Sequence, residues 1–186
     1  MKRIGILGDI GSGKTFVAKC FKYPIFNADD EVKKIYKNNL KCFKKLNKKF
    51  PNYIKNFPII KSEIIKILNK KNIKILSKIV HPYVRLELKK FLKKNFLKKY
   101  VILDIPLLIE NKLHKKNDVL IYVRTPKNII LKRLIKRGNY DKKIFFILKS
   151  QQLKIEKKVK ICNFIIGNSL GKKNVLKQIK EIKKNI

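Results

Sequence analysis

From Arg3 to Leu7 the chain is largely apolar and ends in glycines, and from Lys14 to Lys22 apolar residues recur at helical intervals (Phe16, Val17, Cys20, Phe21). That order predicts strand, loop and helix. A second extended run, Pro24-Ile25-Phe26, leads into Asn27-Ala28-Asp29-Asp30, after which the pattern is helical through Tyr36, so the carboxylates fall at a strand-to-helix junction. From about 38 to 99 the periodicity stays helical but is interrupted by Pro51, Pro58 and His81-Pro82. Ser62 is expected to cap a helix carrying Ile64, Ile65, Ile67 and Leu68. A separate helix is expected from about Pro82, with Val84, Leu88, Phe91 and Leu92 on one side.

Tyr100 to Ile105 and Val119 to Val123 are continuous apolar runs of the kind that fill the centre of a parallel sheet, and Phe164-Ile165-Ile166 is the last strand. Pro126, Ile129, Ile130 and Leu134 mark a helix that brings Arg133 and Arg137 to one face, four residues apart. Alternating strands and helices predict an α/β fold, a five-stranded parallel sheet flanked by helices. The 186 residues suit one domain. Its core is expected from 1–30 and 100–186, with a helical insertion at about 31–99 and a short lid at about 133–150.

Composition changes this picture little. The net charge of +37 suggests a nucleic-acid partner, yet only five of 49 basic residues are Arg, where bidentate phosphate and base contacts favour Arg. Lys, Asn and Ile are over-used along the whole chain, which reads as a coding bias; we expect no nucleic-acid partner, although such a field would still attract phosphates. Cys20, Cys42 and Cys162 have no paired spacing, which points to a reducing cytoplasm rather than to disulfides or zinc. The first apolar run is too short for a signal peptide, and no segment has the ~20 apolar residues of a membrane span.

The chemistry is concentrated in Gly8-Asp9-Ile10-Gly11-Ser12-Gly13-Lys14-Thr15, which satisfies G-x-x-x-x-G-K-[ST] between a strand and a helix. Glycines there let successive backbone N–H groups converge on a phosphate, Lys14 would bridge the β- and γ-phosphates of ATP, and the Thr15 hydroxyl would face Mg²⁺. Asp104, at the end of an apolar strand, has two readings: a carboxylate that reaches magnesium through water, or a cap for the following turn. Asp29, at its strand-to-helix junction, is a candidate helix N-cap, which leaves it free for a further role. His81 is either a general base or a structural residue packing at a bend, while His114 and its neighbouring lysines suggest a surface position.

With these elements in order, the chain resembles the dephospho-coenzyme A kinase family over nearly its full length. The family's loop appears as Gly8 to Thr15, its D-A-D element as Asn27-Ala28-Asp29, its His-Pro as His81-Pro82, and its P-L-L-x-E as Pro106-Leu107-Leu108-Ile109-Glu110. Its lid arginines, pre-strand glutamine and terminal V-I-x-N appear as Arg133, Arg137, Gln152 and Ile165-Ile166-Gly167-Asn168. The resemblance implies a P-loop kinase fold whose helical insertion binds the acceptor. It implies transfer of the γ-phosphate of ATP, with Mg²⁺, to the ribose 3′-hydroxyl of dephospho-CoA. On it, Asp29 is the base, Arg137 and Arg133 meet the moving phosphoryl and ATP, and His81, Glu110 and Gln152 meet the acceptor. Asn27 departs from the family carboxylate, and Gln151 beside Gln152 leaves two candidate amides. A kinase for another small acceptor and a nucleic-acid-stimulated ATPase are the alternatives.

Overall fold

The computed structural model describes residues 1–136, 138 and 140–186. It contains two compact units, one formed by 1–27 and 95–186 and the other by 28–94.

The first unit is built on a sheet of five parallel strands, β1 (Lys2–Gly8), β2 (Ile25–Asn27), β3 (Tyr100–Asp104), β4 (Val119–Arg124) and β5 (Phe164–Gly167), in the order β2-β3-β1-β4-β5. Strands covered on both faces need no alternation, and β3 accordingly is buried at all five positions. The central strand β1 reads Ile4, Ile6 and Leu7 into the core. Val17, Ala18 and Phe21 of α1 (Lys14–Cys20) and its C-terminal end pack with Ile4, Ile6, Ile102, Ile121 and Ile166 in one cluster. Arg3 is the exception in β1. It is buried, donates twice to Asp118 at the start of β4, and donates to the Leu113 carbonyl at 2.9 Å, so its charge is fully paired.

The second unit is helical: α2 (Ala28–Asn38), α3 (Leu40–Lys49), α4 (Lys61–Ile67) and α5 (Asn72–Lys94). Two expectations are corrected here. Ser62 is not the N-cap but the second residue of α4, because Glu63 at the third position reaches back to the N–H groups of Ile60 (3.4 Å) and Lys55 (3.3 Å) and so fixes an earlier start. Pro82 does not begin a helix but lies inside α5. The buried stripe Ile73, Leu76, Val80, Val84 and Leu88 runs unbroken past it. Each of those side chains contributes about 1.5–3 kcal/mol on burial, which together outweighs the ~3 kcal/mol cost of one helical proline.

The first unit is completed by α6 (Lys127–Lys136), α7 (Lys142–Lys149), α8 (Ile155–Lys160) and α9 (Gly171–Lys184). α6 buries Ile130 and Leu134 directly over Gly11 of the loop after β1. A Cβ at that glycine would lie 3.1 Å from both, and its φ of +83° already excludes most side chains. Among the described residues no helix is long and apolar enough to cross a membrane.

Candidate active site

The loop from Gly8 to Thr15 joins the central strand to α1, so it emerges at the carboxyl end of the sheet, where open α/β sheets bind their ligands. Lys14 bends back over the loop and donates to the carbonyls of Gly8 (3.1 Å) and Asp9 (2.9 Å). Gly13 has φ +90°, and a side chain there would collide with Asn168 Nδ2.

Asp104 ends β3, the neighbour of β1, and is 3% exposed. One carboxylate oxygen, Oδ2, accepts the Thr15 hydroxyl at 2.5 Å and the Asn27 amide at 2.7 Å. The register that pairs Asn27 of β2 with Asp104 of β3 makes this contact inevitable, since the two side chains stand on the same face of adjacent strands. Oδ2 thus faces Thr15 of the phosphate loop, the neighbour that the metal-side reading of Asp104 expects. Thr15 and Asp104 are hard oxygen donors that fit a small, hard divalent cation, which commonly takes one or two protein oxygens and completes its shell with phosphates and water. No cluster of three or more His, Cys, Asp or Glu able to hold a metal occurs among the described residues.

A second group of contacts sits beyond β3. Glu110 Oε1 accepts the Leu153 N–H at 2.8 Å and lies 3.3 Å from Lys158 Nζ. Lys158, on α8, is 1% exposed. Of the two adjacent amides, Gln152 donates to the Pro106 carbonyl at 3.4 Å, whereas Gln151 meets Ser150 of its own segment. Gln152 is therefore the amide on the side of Pro106 to Glu110. Lys158 was invisible in the sequence, one lysine among many; only its burial marks it.

Arg133 bridges two backbone carbonyls, Ser12 O by Nη1 at 3.1 Å and Asn168 O by Nη2 at 2.9 Å. Arg137 lies outside the described residues. Asp29 and His81 belong to the helical unit. Asp29 is the second residue of α2 and exposed, so it lies in the first turn and is not the N-cap. His81 is half-buried in the middle of α5, and burial, then the charge of Arg85, holds its imidazole below the ordinary value of 6.5. His114 is half-buried, not a surface residue as expected, and its Nδ1 is enclosed. Burial raises the Cys162 thiol to about 12.

A parallel sheet ordered 2-3-1-4-5, a phosphate loop leaving its central strand and a carboxylate on the loop threonine together define a P-loop kinase. The model of the dephospho-CoA kinase family matches residues 2–174, and the chain belongs to that family. The dephospho-CoA kinase of Wolbachia pipientis wMel is 34% identical over 186 residues, covering 96% of this chain and 95% of that protein. Among solved structures, TT1252 from Thermus thermophilus superposes with a TM-score of 0.78 at 24% identity, covering 100% of this chain and 97% of that one. The dephospho-CoA kinase from Campylobacter jejuni gives 0.64 at 23% identity, covering 99% and 96%. At those identities the two structures speak for the fold alone.

Proposed function

We propose that this kinase transfers the γ-phosphate of ATP to the ribose 3′-hydroxyl of dephospho-CoA, and that the residues above divide the work as follows. The loop Gly8, Asp9, Ile10, Gly11, Ser12 and Gly13 cradles the phosphates with its backbone N–H groups, and Lys14 leaves the carbonyls of Gly8 and Asp9 for the β- and γ-phosphates. Asp29 accepts the proton of the 3′-hydroxyl as its oxygen bonds to the γ-phosphorus and the bond to ADP breaks. Arg137 and Arg133 meet the charge that develops on the moving phosphoryl and on ATP. Thr15, with Asp104 behind it, would hold Mg²⁺, which when bound neutralises phosphate charge.

His81, Glu110 and Gln152 bind the acceptor, His81 as a neutral ring, as its lowered pKa favours near pH 7. The helical part at about 31–99 carries the acceptor site and 133–150 acts as a lid; α7 within it buries none of its residues fully, as suits a segment that opens. Three free thiols agree with a reducing cytoplasm.

The observation that carries this reading is the Thr15–Asp104–Asn27 contact beside the loop, in a chain that the family spans almost entirely. The decisive experiment offers ATP with dephospho-CoA, AMP, CMP or shikimate and follows ADP release. Transfer to dephospho-CoA alone is expected, with Lys14→Ala inactive; transfer to another acceptor alone would reject the assignment.

A further inference from the structure

The peptide between Ser12 and Gly13 lies in the phosphate loop, and its carbonyl is gripped by three side chains from three distant segments. Asn168 Nδ2 donates to Ser12 O at 2.8 Å, Thr125 Oγ1 at 2.9 Å and Arg133 Nη1 at 3.1 Å. A carbonyl oxygen has two lone pairs, so three donors saturate it. These donors stand at the end of β5, just beyond β4, and on α6.

The consequence follows from peptide geometry. In a trans peptide the C=O and the next N–H point in opposite directions. A Ser12 carbonyl pulled toward Asn168 therefore turns the Gly13 N–H the other way, toward the phosphate side of the loop. No side chain at position 13 could coexist with that arrangement, because a Cβ would strike Asn168 Nδ2.

Asn168 is the best fixed of the three donors. It is 2% exposed, its own N–H donates to the Arg124 carbonyl at 2.9 Å, and its carbonyl is held by Arg133. The residue before it is pinned as well: Gln178 of α9 accepts the Gly167 N–H at 2.9 Å and donates to the Gly167 carbonyl at 3.0 Å. Asn168 thus reaches the loop from a rigid base, where an exposed side chain would sample several rotamers.

We propose that Asn168 is a positioning residue for phosphate binding: assisted by Thr125, it fixes the Ser12–Gly13 peptide so that the Gly13 N–H faces the phosphates. The inference rests on the reading of Gly8 to Thr15 as the ATP phosphate cradle, and it separates from a contact between Asn168 and the nucleotide base.

The test measures ATP affinity and competition by inorganic tripolyphosphate for the wild type, Lys14→Ala, Asn168→Ala, Asn168→Asp and Thr125→Val, each checked by thermal melting. Asn168→Ala is expected to weaken ATP and tripolyphosphate by the same factor, about tenfold, as suits one hydrogen bond of about 1–1.5 kcal/mol. Thr125→Val is expected to weaken both by about threefold and keeps the inference testable if Asn168→Ala does not fold. Asn168→Asp removes the donor and sets a carboxylate beside the Arg133 guanidinium, so it is expected to weaken ATP and tripolyphosphate at least as much as Asn168→Ala. Loss of ATP with tripolyphosphate unaffected in Asn168→Ala, or wild-type tripolyphosphate affinity in Asn168→Asp, overturns the proposal. Failure of the wild type to bind tripolyphosphate, or equal binding by Lys14→Ala, would instead reject the loop as the phosphate site.

Discussion

Thr15 donates its hydroxyl to Asp104 Oδ2 at 2.5 Å, joining the last residue of the phosphate loop to the end of the neighbouring strand. The same oxygen takes the amide of Asn27 at 2.7 Å. This one carboxylate orients Thr15 and sets the charge on the side of the loop where a divalent cation would sit.

Asp104→Asn keeps the shape and removes the charge. Turnover should fall by about 10- to 100-fold, the usual effect of losing a group that orients a metal ligand. The magnesium concentration for half-maximal rate should rise with it. Titrating activity against magnesium at saturating ATP checks both, and an unchanged magnesium dependence would return Asp104 to a purely structural role.

Asn27→Asp restores the family carboxylate but replaces a donor to Asp104 with a second acceptor of like charge. Stability without divalent ions should drop by about 1–3 kcal/mol, since a made hydrogen bond becomes a repulsion. Added magnesium should recover most of that loss by sitting between the oxygens. Thermal melts with EDTA and with magnesium test this; a variant as stable as wild type in EDTA contradicts it.

Asp29→Asn removes a proton acceptor while leaving the first turn of α2 its polar side chain. Turnover should fall more than tenfold with ATP affinity almost unchanged. A smaller loss in single-turnover assays would remove Asp29 as base.

The Lys158–Glu110 pair should behave asymmetrically. Glu110→Leu strands a buried ammonium and should cost about 3–5 kcal/mol. Lys158→Met should cost less, because Glu110 keeps the Leu153 N–H, and combining the two should regain part of the loss. Urea unfolding of the three variants measures the order.

His81 supplies a pH signature. Its folded pKa lies below the ordinary 6.5, so between those values the unfolded chain binds a proton that the folded chain refuses. This contribution to stability is present above about pH 6.5 and is lost as pH falls. His81→Asn should flatten that part of the slope in melts between about pH 7.5 and about pH 5.5. An identical slope would assign it to other groups.

What could be read in the chain was whatever depends on neighbours in sequence. The five strands follow from apolar runs such as Tyr100 to Ile105, and the phosphate loop from glycines and Lys14-Thr15 at fixed spacing. Pro82 and Ser62 misled because a local preference of one residue was overruled, by the α5 core stripe in one case and by the reach of Glu63 in the other.

Tertiary structure alone decided which polar residues matter among so many. Among the described residues, Lys158 is marked out from the many other lysines by being enclosed with Glu110, and Asn168 from other asparagines by its contact with Ser12 across 156 positions. The partnership of Asn27 with Asp104 required the β2–β3 register. Spacing along the chain fixes strands, helices and a glycine-rich loop because those depend on short-range backbone geometry; the choice of partner for a buried charge or a loop carbonyl depends on which strand ends meet, and that is settled only when the sheet closes over its core.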